Sequence, residues 1–155
     1  MAQNRSGGYP GGYQQGAGAR RRPEQVPEIN VSRIVFGREI DPKLYSDIAE
    51  ETAKAVAVDQ RRNNPSQLRR FYDELVALQE KVGRDKGHFE QHLPFIQMLK
   101  AKVAYAQGRD KVDRNFVLML GRVIDQTQDP EKLRQARLFM EAFMAFYKVY
   151  RPREG

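Results

Sequence analysis

The chain has no cysteine and only two histidines in its 155 residues. Without cysteine there are no disulfides and no thiolate zinc sites, a usage that fits an intracellular protein. No apolar run approaches the roughly 20 residues that span a bilayer as a helix. The Gly-rich N-terminus also lacks the apolar stretch of a signal peptide, so a cytoplasmic protein with no membrane partner is expected. A Gly-rich phosphate loop, a GxSxG elbow and a paired-carboxylate motif are missing as well. His88 and His92 flank Glu90 in HFEQH. Their four-residue spacing can chelate a metal, but no third ligand is placed by local sequence and the glutamate is displaced by one from HExxH. The expectation is therefore no enzyme, no metal and no cofactor.

What the chain does have is positive charge, unevenly spread. Twenty-seven Lys and Arg against 20 Asp and Glu give +7. Arg5, Arg20, Arg21 and Arg22 face no acid in the first 22 residues, which leaves 23 cations against the 20 acids of the remainder. A basic balance favours a polyanionic partner through steering and counterion release. Residues 1–27 are rich in Gly, Gln, Arg, Pro and Tyr and hold no aliphatic block that could offset ordering entropy, so a disordered tail is expected there. Its Tyr9, Tyr13 and arginines are a combination that contacts single-stranded RNA, or else form a solvated leader. Residues 28–40, with an apolar patch at Ile34, Val35 and Phe36 closed by Gly37, are expected to lie on the body as an extended or irregular lead-in.

Residues 41–151 are expected to form one all-α domain, a compact bundle of about five helices. Asp41-Pro42, Asn64-Pro65 and Asp129-Pro130 each set a capping side chain before a proline at a first helical position. The first helix is predicted from Pro42 to Gln60. The second, from Pro65 to Val82, carries Leu68, Phe71, Tyr72, Leu75, Leu78 and Val82 inward, with Gly83 as a left-handed stop. The third, centred on Leu93–Arg109, puts Ile96, Leu99, Val103 and Ala106 on one face and Met98, Ala101 and Tyr105 on the other. An apolar surface on both sides predicts cover on both sides, by other helices or another subunit. Gly108 should end it. The fourth runs from about Val112 to Gln126 and the fifth from Pro130 to Tyr150, where Phe139 and Phe146 share a flank and would mark a subunit interface if exposed together.

Basic residues gather in two clusters. Arg61 and Arg62 precede the second helix, and Arg69 and Arg70 lie one turn into it, near a helix N-terminus that adds its own positive end. Lys100, Lys102, Arg109, Lys111 and Arg114 form the other, with Asp110 and Asp113 as expected pairing partners. Lys100 interrupts an apolar helix where Leu or Ala would pack more simply, which suggests a use. Lys148, Arg151 and Arg153 read as last-turn charges opposing the dipole of the last helix.

Three motifs in order, NPSQLRRFYDEL at Asn64–Leu75, LPFIQMLKAKVAYAQGR at Leu93–Arg109 and LFMEAFMAFYKVY at Leu138–Tyr150, resemble the small helical subunit of type III-A CRISPR–Cas effector (Csm) complexes. The resemblance covers about Pro42 to Tyr150 and does not extend to the tail. It implies a non-catalytic, all-α subunit that repeats along a ribonucleoprotein filament. Its implied partners are crRNA and target RNA, copies of itself, the repeated backbone subunit and the large subunit. Carried over by motif, Arg69 matches the basic residue of the second-helix signature, and Lys100, Tyr105, Gly108 and Arg109 match the central one. The RNA-binding set expected on this basis is Arg61, Arg62, Arg69, Arg70, Lys100, Lys102, Arg109 and Lys111, acting on phosphates, with Arg69, Lys100 and Arg109 dominant. The rival expectations are a purely structural protein–protein adapter and a stand-alone DNA-binding helical protein. The second is disfavoured because a largely apolar helix after the Gly83–Gly87 link makes a poor recognition helix.

Overall fold

A computed structural model describes residues 26–85 and 87–151. The disordered tail expected over residues 1–27 therefore falls almost wholly outside the described residues, as does Arg153. The chain forms a π-helical turn, Leu44–Ile48, that runs into α1 (Ala49–Ala57), followed by α2 (Pro65–Arg84), α3 (Phe89–Gly108), α4 (Arg114–Asp125) and α5 (Pro130–Tyr150). Among the described residues there is no strand, and no helix is long and apolar enough to cross a membrane.

Two of the three proline-preceded caps form as the sequence predicts. Asn64 Oδ1 accepts from Ser66 N at 3.0 Å, and Asp129 Oδ1 accepts from Lys132 N at 2.8 Å. Asp41 instead closes a local turn by accepting from Lys43 N, and regular helix begins later, through the π turn. A further cap is Asp113, which accepts from Phe116 N at the start of α4. Gly83 is not a left-handed stop. It lies inside α2, and Asp85 N closes the helix by bonding to the carbonyls of both Lys81 and Val82, a tightened last turn that requires no positive φ. Gly108 is the last residue of α3, as the sequence predicts, and the left-handed residue beyond it is Asp110, at φ 62°.

In the core, α5 packs on α1 and α2, while α3 packs on α4 and α2. A file of rings, Phe71, Phe116, Phe143 and Tyr147, crosses the bundle with centroids 5.6, 6.4 and 5.5 Å apart. Such pairs add about 0.5–1.5 kcal/mol each beyond their burial. Ile96, Leu99, Val103 and Ala106 are buried, but Phe95, Met98 and Tyr105 are 57%, 49% and 67% exposed. Among the described residues α3 is thus covered on one side only. Phe139 is fully buried and Phe146 half-buried, so that flank is no exposed interface; the Phe36 ring covers Phe139 at 6.2 Å.

Phe36 belongs to an irregular strap ahead of the helices, with Ile29 and Ile34 also buried. Three side-chain amides hold it as a β-neighbour would. Asn115 accepts from Ile29 N and donates to Pro27 O; Gln126 accepts from Phe36 N and donates to Ile34 O; Gln135 accepts from Gly37 N and donates to Gly37 O. Backbone groups with no secondary-structure partner are thereby satisfied as the strap closes the core.

Candidate nucleic-acid interface

The turn after α1 and the turn after α3 meet at one corner of the bundle. Asn63 is fully buried with φ 61°, a left-handed conformation that Asn tolerates better than most residues. Its backbone N donates to Lys111 O at 3.0 Å, its Nδ2 donates to Val56 O at 3.1 Å, and its Oδ1 accepts from Asp113 N at 2.9 Å. Its carbonyl accepts from the Tyr147 hydroxyl and lies 3.3 Å from Arg151 Nη1. Arg151 Nη1 also reaches Asp59 O at 3.1 Å and Arg62 O at 2.8 Å. Arg151, expected as a last-turn charge opposing the dipole of the last helix, is buried and binds the 59–63 turn from within. Burial pushes the Tyr147 phenol up to about 12, so it remains a hydrogen-bond donor through neutral pH.

This clamp fixes two arginines at the surface. Arg61 Nη1 lies 2.9 Å from Asp110 Oδ2, and Arg62 Nε lies 2.5 Å from Asp110 Oδ1. Arg62 Nη1 also pairs with Asp59 at 2.9 Å. Hydrogen bonding from Arg62, aided by the charge of Arg61, holds the Asp110 carboxyl below the usual range. At Asp59 burial alone would raise the pKa, but the Arg62 backbone N–H and guanidinium and the Arg61 N–H outweigh it and hold the group low. Asp110 was expected to neutralise its neighbours in sequence; it pairs instead with the cluster at 61–62, while Asp113 serves as a helix cap.

From this corner a groove of about 650 Å³ runs between the first turn of α2 and the last turns of α3. Arg61, Arg62, Arg70, Lys102, Arg109 and Lys111 line it, with Asp110 the one carboxylate among the lining residues. Asn64, Ser66 and Gln67, at the N-terminus of α2, form part of its wall and bring the positive end of that helix to it. Lys102 is tied to Glu74 on α2, whereas Arg70, Arg109 and Lys111 have no carboxylate partner among the described residues. Six of the eight residues expected from sequence therefore share one groove.

The other two lie elsewhere. Arg69 sits 3.9 Å from Asp73 and opens into a separate cleft between α2 and α5 that also holds Lys148. Lys100 donates to Asp125 at 2.6 Å across the α3–α4 seam, and its position is exposed, so an ammonium there costs the packing nothing. Tyr105 lines the groove with the cations but carried no chemical signal in sequence beyond its place in a motif. Asn63 was visible only as one of two adjacent asparagines.

The histidines form no metal centre. His88 Nδ1 lies 2.6 Å from one oxygen of Asp85 and His92 Nε2 lies 3.0 Å from the other, so the two rings flank one carboxylate rather than converge on a point. Among the described residues no group of three His, Asp or Glu is arranged so that it could hold a metal ion.

A family model described as Csm2 Type III-A matches residues 39–153. The match takes in α1–α5 and all eight candidate residues, and leaves out the strap over residues 26–38 and everything before it. No curated protein and no solved structure matches the chain.

Proposed function

The chain belongs to the Csm2 Type III-A family, a small subunit of type III-A CRISPR effector complexes, and from that premise we propose that its groove holds RNA backbone in the assembled particle. One observation carries this reading: six cations from three separate segments line a single groove with one carboxylate. Nucleic-acid backbone is the polyanion such an effector complex is built around. Arginines and lysines neutralise phosphates without reading bases, and pairing between crRNA and target RNA supplies the sequence information. The subunit acts in the cytoplasm, without catalysis and without a cofactor, as a positioning element in antiviral defence beside the backbone subunit, the large subunit and copies of itself. Arg109, Lys111 and Arg70 lead, because they have no carboxylate partner to give up. Arg61 and Arg62 must exchange Asp110 for phosphate, and Lys102 must exchange Glu74.

The structural-adapter reading draws on a different observation, the open side of α3 at Phe95 and Met98. The two readings use different faces and are compatible.

Replacing Arg109 and Lys111 together by alanine in the reconstituted effector complex tests the groove. Target-RNA affinity falls by a similar factor for every guide, and the slope of log affinity against log salt flattens by about 0.7 to 0.9 per cation lost. A folded double variant whose complex binds target with unchanged affinity and salt slope overturns the assignment.

A further inference from the structure

Tyr105 stands one turn before the end of α3, on the wall of the cationic groove, and is 67% exposed. Arg109, one turn on, lies over its ring at 5.8 Å from the centroid, and Lys102 flanks it on the N-terminal side. The other described tyrosines differ. Tyr147 is buried and bonded to Asn63 O, Tyr150 is half-buried and bonded to Glu50, and Tyr45 and Tyr72 are half-buried against the core. Tyr105 has neither core contact nor any hydrogen bond from its hydroxyl among the described residues. A rigid ring with only two side-chain torsions, held by a guanidinium at the edge of a phosphate-binding groove, offers its open surface to a planar apolar ligand. Charge selects which one: with six cations around it, the ligand's carrier is a polyanion. A nucleobase is the planar group such a carrier brings.

We infer that Tyr105 and Arg109 form a stacking platform for an unpaired nucleobase of RNA lying in the groove. This deepens the groove reading and rests on it. Every base has a π-face, so the platform is indifferent to sequence, but it discriminates between strands, because a base inside a duplex is already stacked on its neighbours. The groove then prefers RNA with at least one unstacked position over continuous duplex.

The test uses the full-length chain at low salt with three RNA probes of one length: a single strand carrying 2-aminopurine, the same strand with abasic positions, and a duplex. Tyr105→Ala is expected to weaken single-strand binding about tenfold. Its salt slope stays unchanged because no charge is lost, and duplex and abasic affinities match the wild type. Tyr105→Phe retains single-strand binding, and quenches 2-aminopurine fluorescence as the wild type does, while Tyr105→Ala does not. Equal losses on all three probes, or no loss on any, overturn the platform. So does a Tyr105→Ala chain that binds RNA normally but fails to join the effector complex, which would make the ring a protein contact. Failure of the groove itself is separable: wild type then binds no probe, or the Arg109/Lys111 double variant keeps the full salt slope.

Discussion

The two turns that bracket α3 both carry charge and are built in opposite ways. At the N-terminal end Asp85 holds His88 and His92, three residues from one stretch of chain whose side chains are 43%, 59% and 19% exposed. At the C-terminal end Asp110 holds Arg61 and Arg62, which lie 49 and 48 positions away, and behind them a buried layer of Asn63, Tyr147 and Arg151 ties the turn to α1 and α5. Short-range pairs exposed to water contribute little to holding a turn. Long-range hydrogen bonds in a buried site fix it, because every partner left unpaired there costs its full desolvation. Only the second kind of turn can hold cations at fixed spacing.

Breaking the buried layer has the largest expected effect. Asn63→Ala leaves the Asp113 N–H and the Val56 carbonyl without their partner and puts alanine at φ 61°, a loss of about 3 kcal/mol in urea unfolding. A loss below about 1 kcal/mol would mean the clamp is not built as described. Next is alkaline pH. The folded Tyr147 pKa of about 12 exceeds the ordinary phenol value of about 10, so the protonated phenol stabilises the fold below pH 10, and that contribution is lost as pH rises toward 12. Unfolding of wild type and Tyr147→Phe compared from pH 8 to 12 should show the steeper decline in wild type alone.

At the acid end Asp59 gives the mirror image. Its folded pKa is depressed, so its contribution is present above the unfolded value near 4 and is lost as pH falls through the folded one. Asp59→Asn should be less stable than wild type at neutral pH, with the gap closing toward pH 2. A smaller effect sharpens the functional side of the comparison. Asp110→Asn keeps a residue suited to left-handed backbone while freeing Arg61 and Arg62, so RNA affinity should rise several-fold and the salt slope steepen. A fall in affinity would show that the carboxylate positions the arginines rather than competing for them. The smallest change belongs to the exposed turn: Asp85→Asn should leave the urea midpoint where it is in wild type.

Much of the bundle was legible in the chain. Leu68, Phe71, Leu75, Leu78 and Val82 are buried as their spacing requires, and the caps at Asn64 and Asp129 form. Helical periodicity and capping are local, so they survive into the fold unchanged. The misreadings share one cause, a dependence on distant partners. Gly83 looks like a left-handed stop, but left-handed backbone falls at Asn63 and Asp110, where long-range bonds stabilise it. Lys100 looks costly in an apolar helix, yet its position is exposed and Asp125 of α4 receives it.

The amino-acid order by itself determined five helices, their buried faces and the motifs that mark the family, because each depends on residues within a few turns of one another. Tertiary structure alone decided that Arg61 and Arg62 would face Arg109 and Lys111 across one groove, and that Lys100 and Arg69 would turn away from it. The meeting of Arg61 and Arg62 with Lys111 follows from a single buried asparagine joining two turns nearly fifty residues apart, and a contact of that range is settled only when the bundle closes around it.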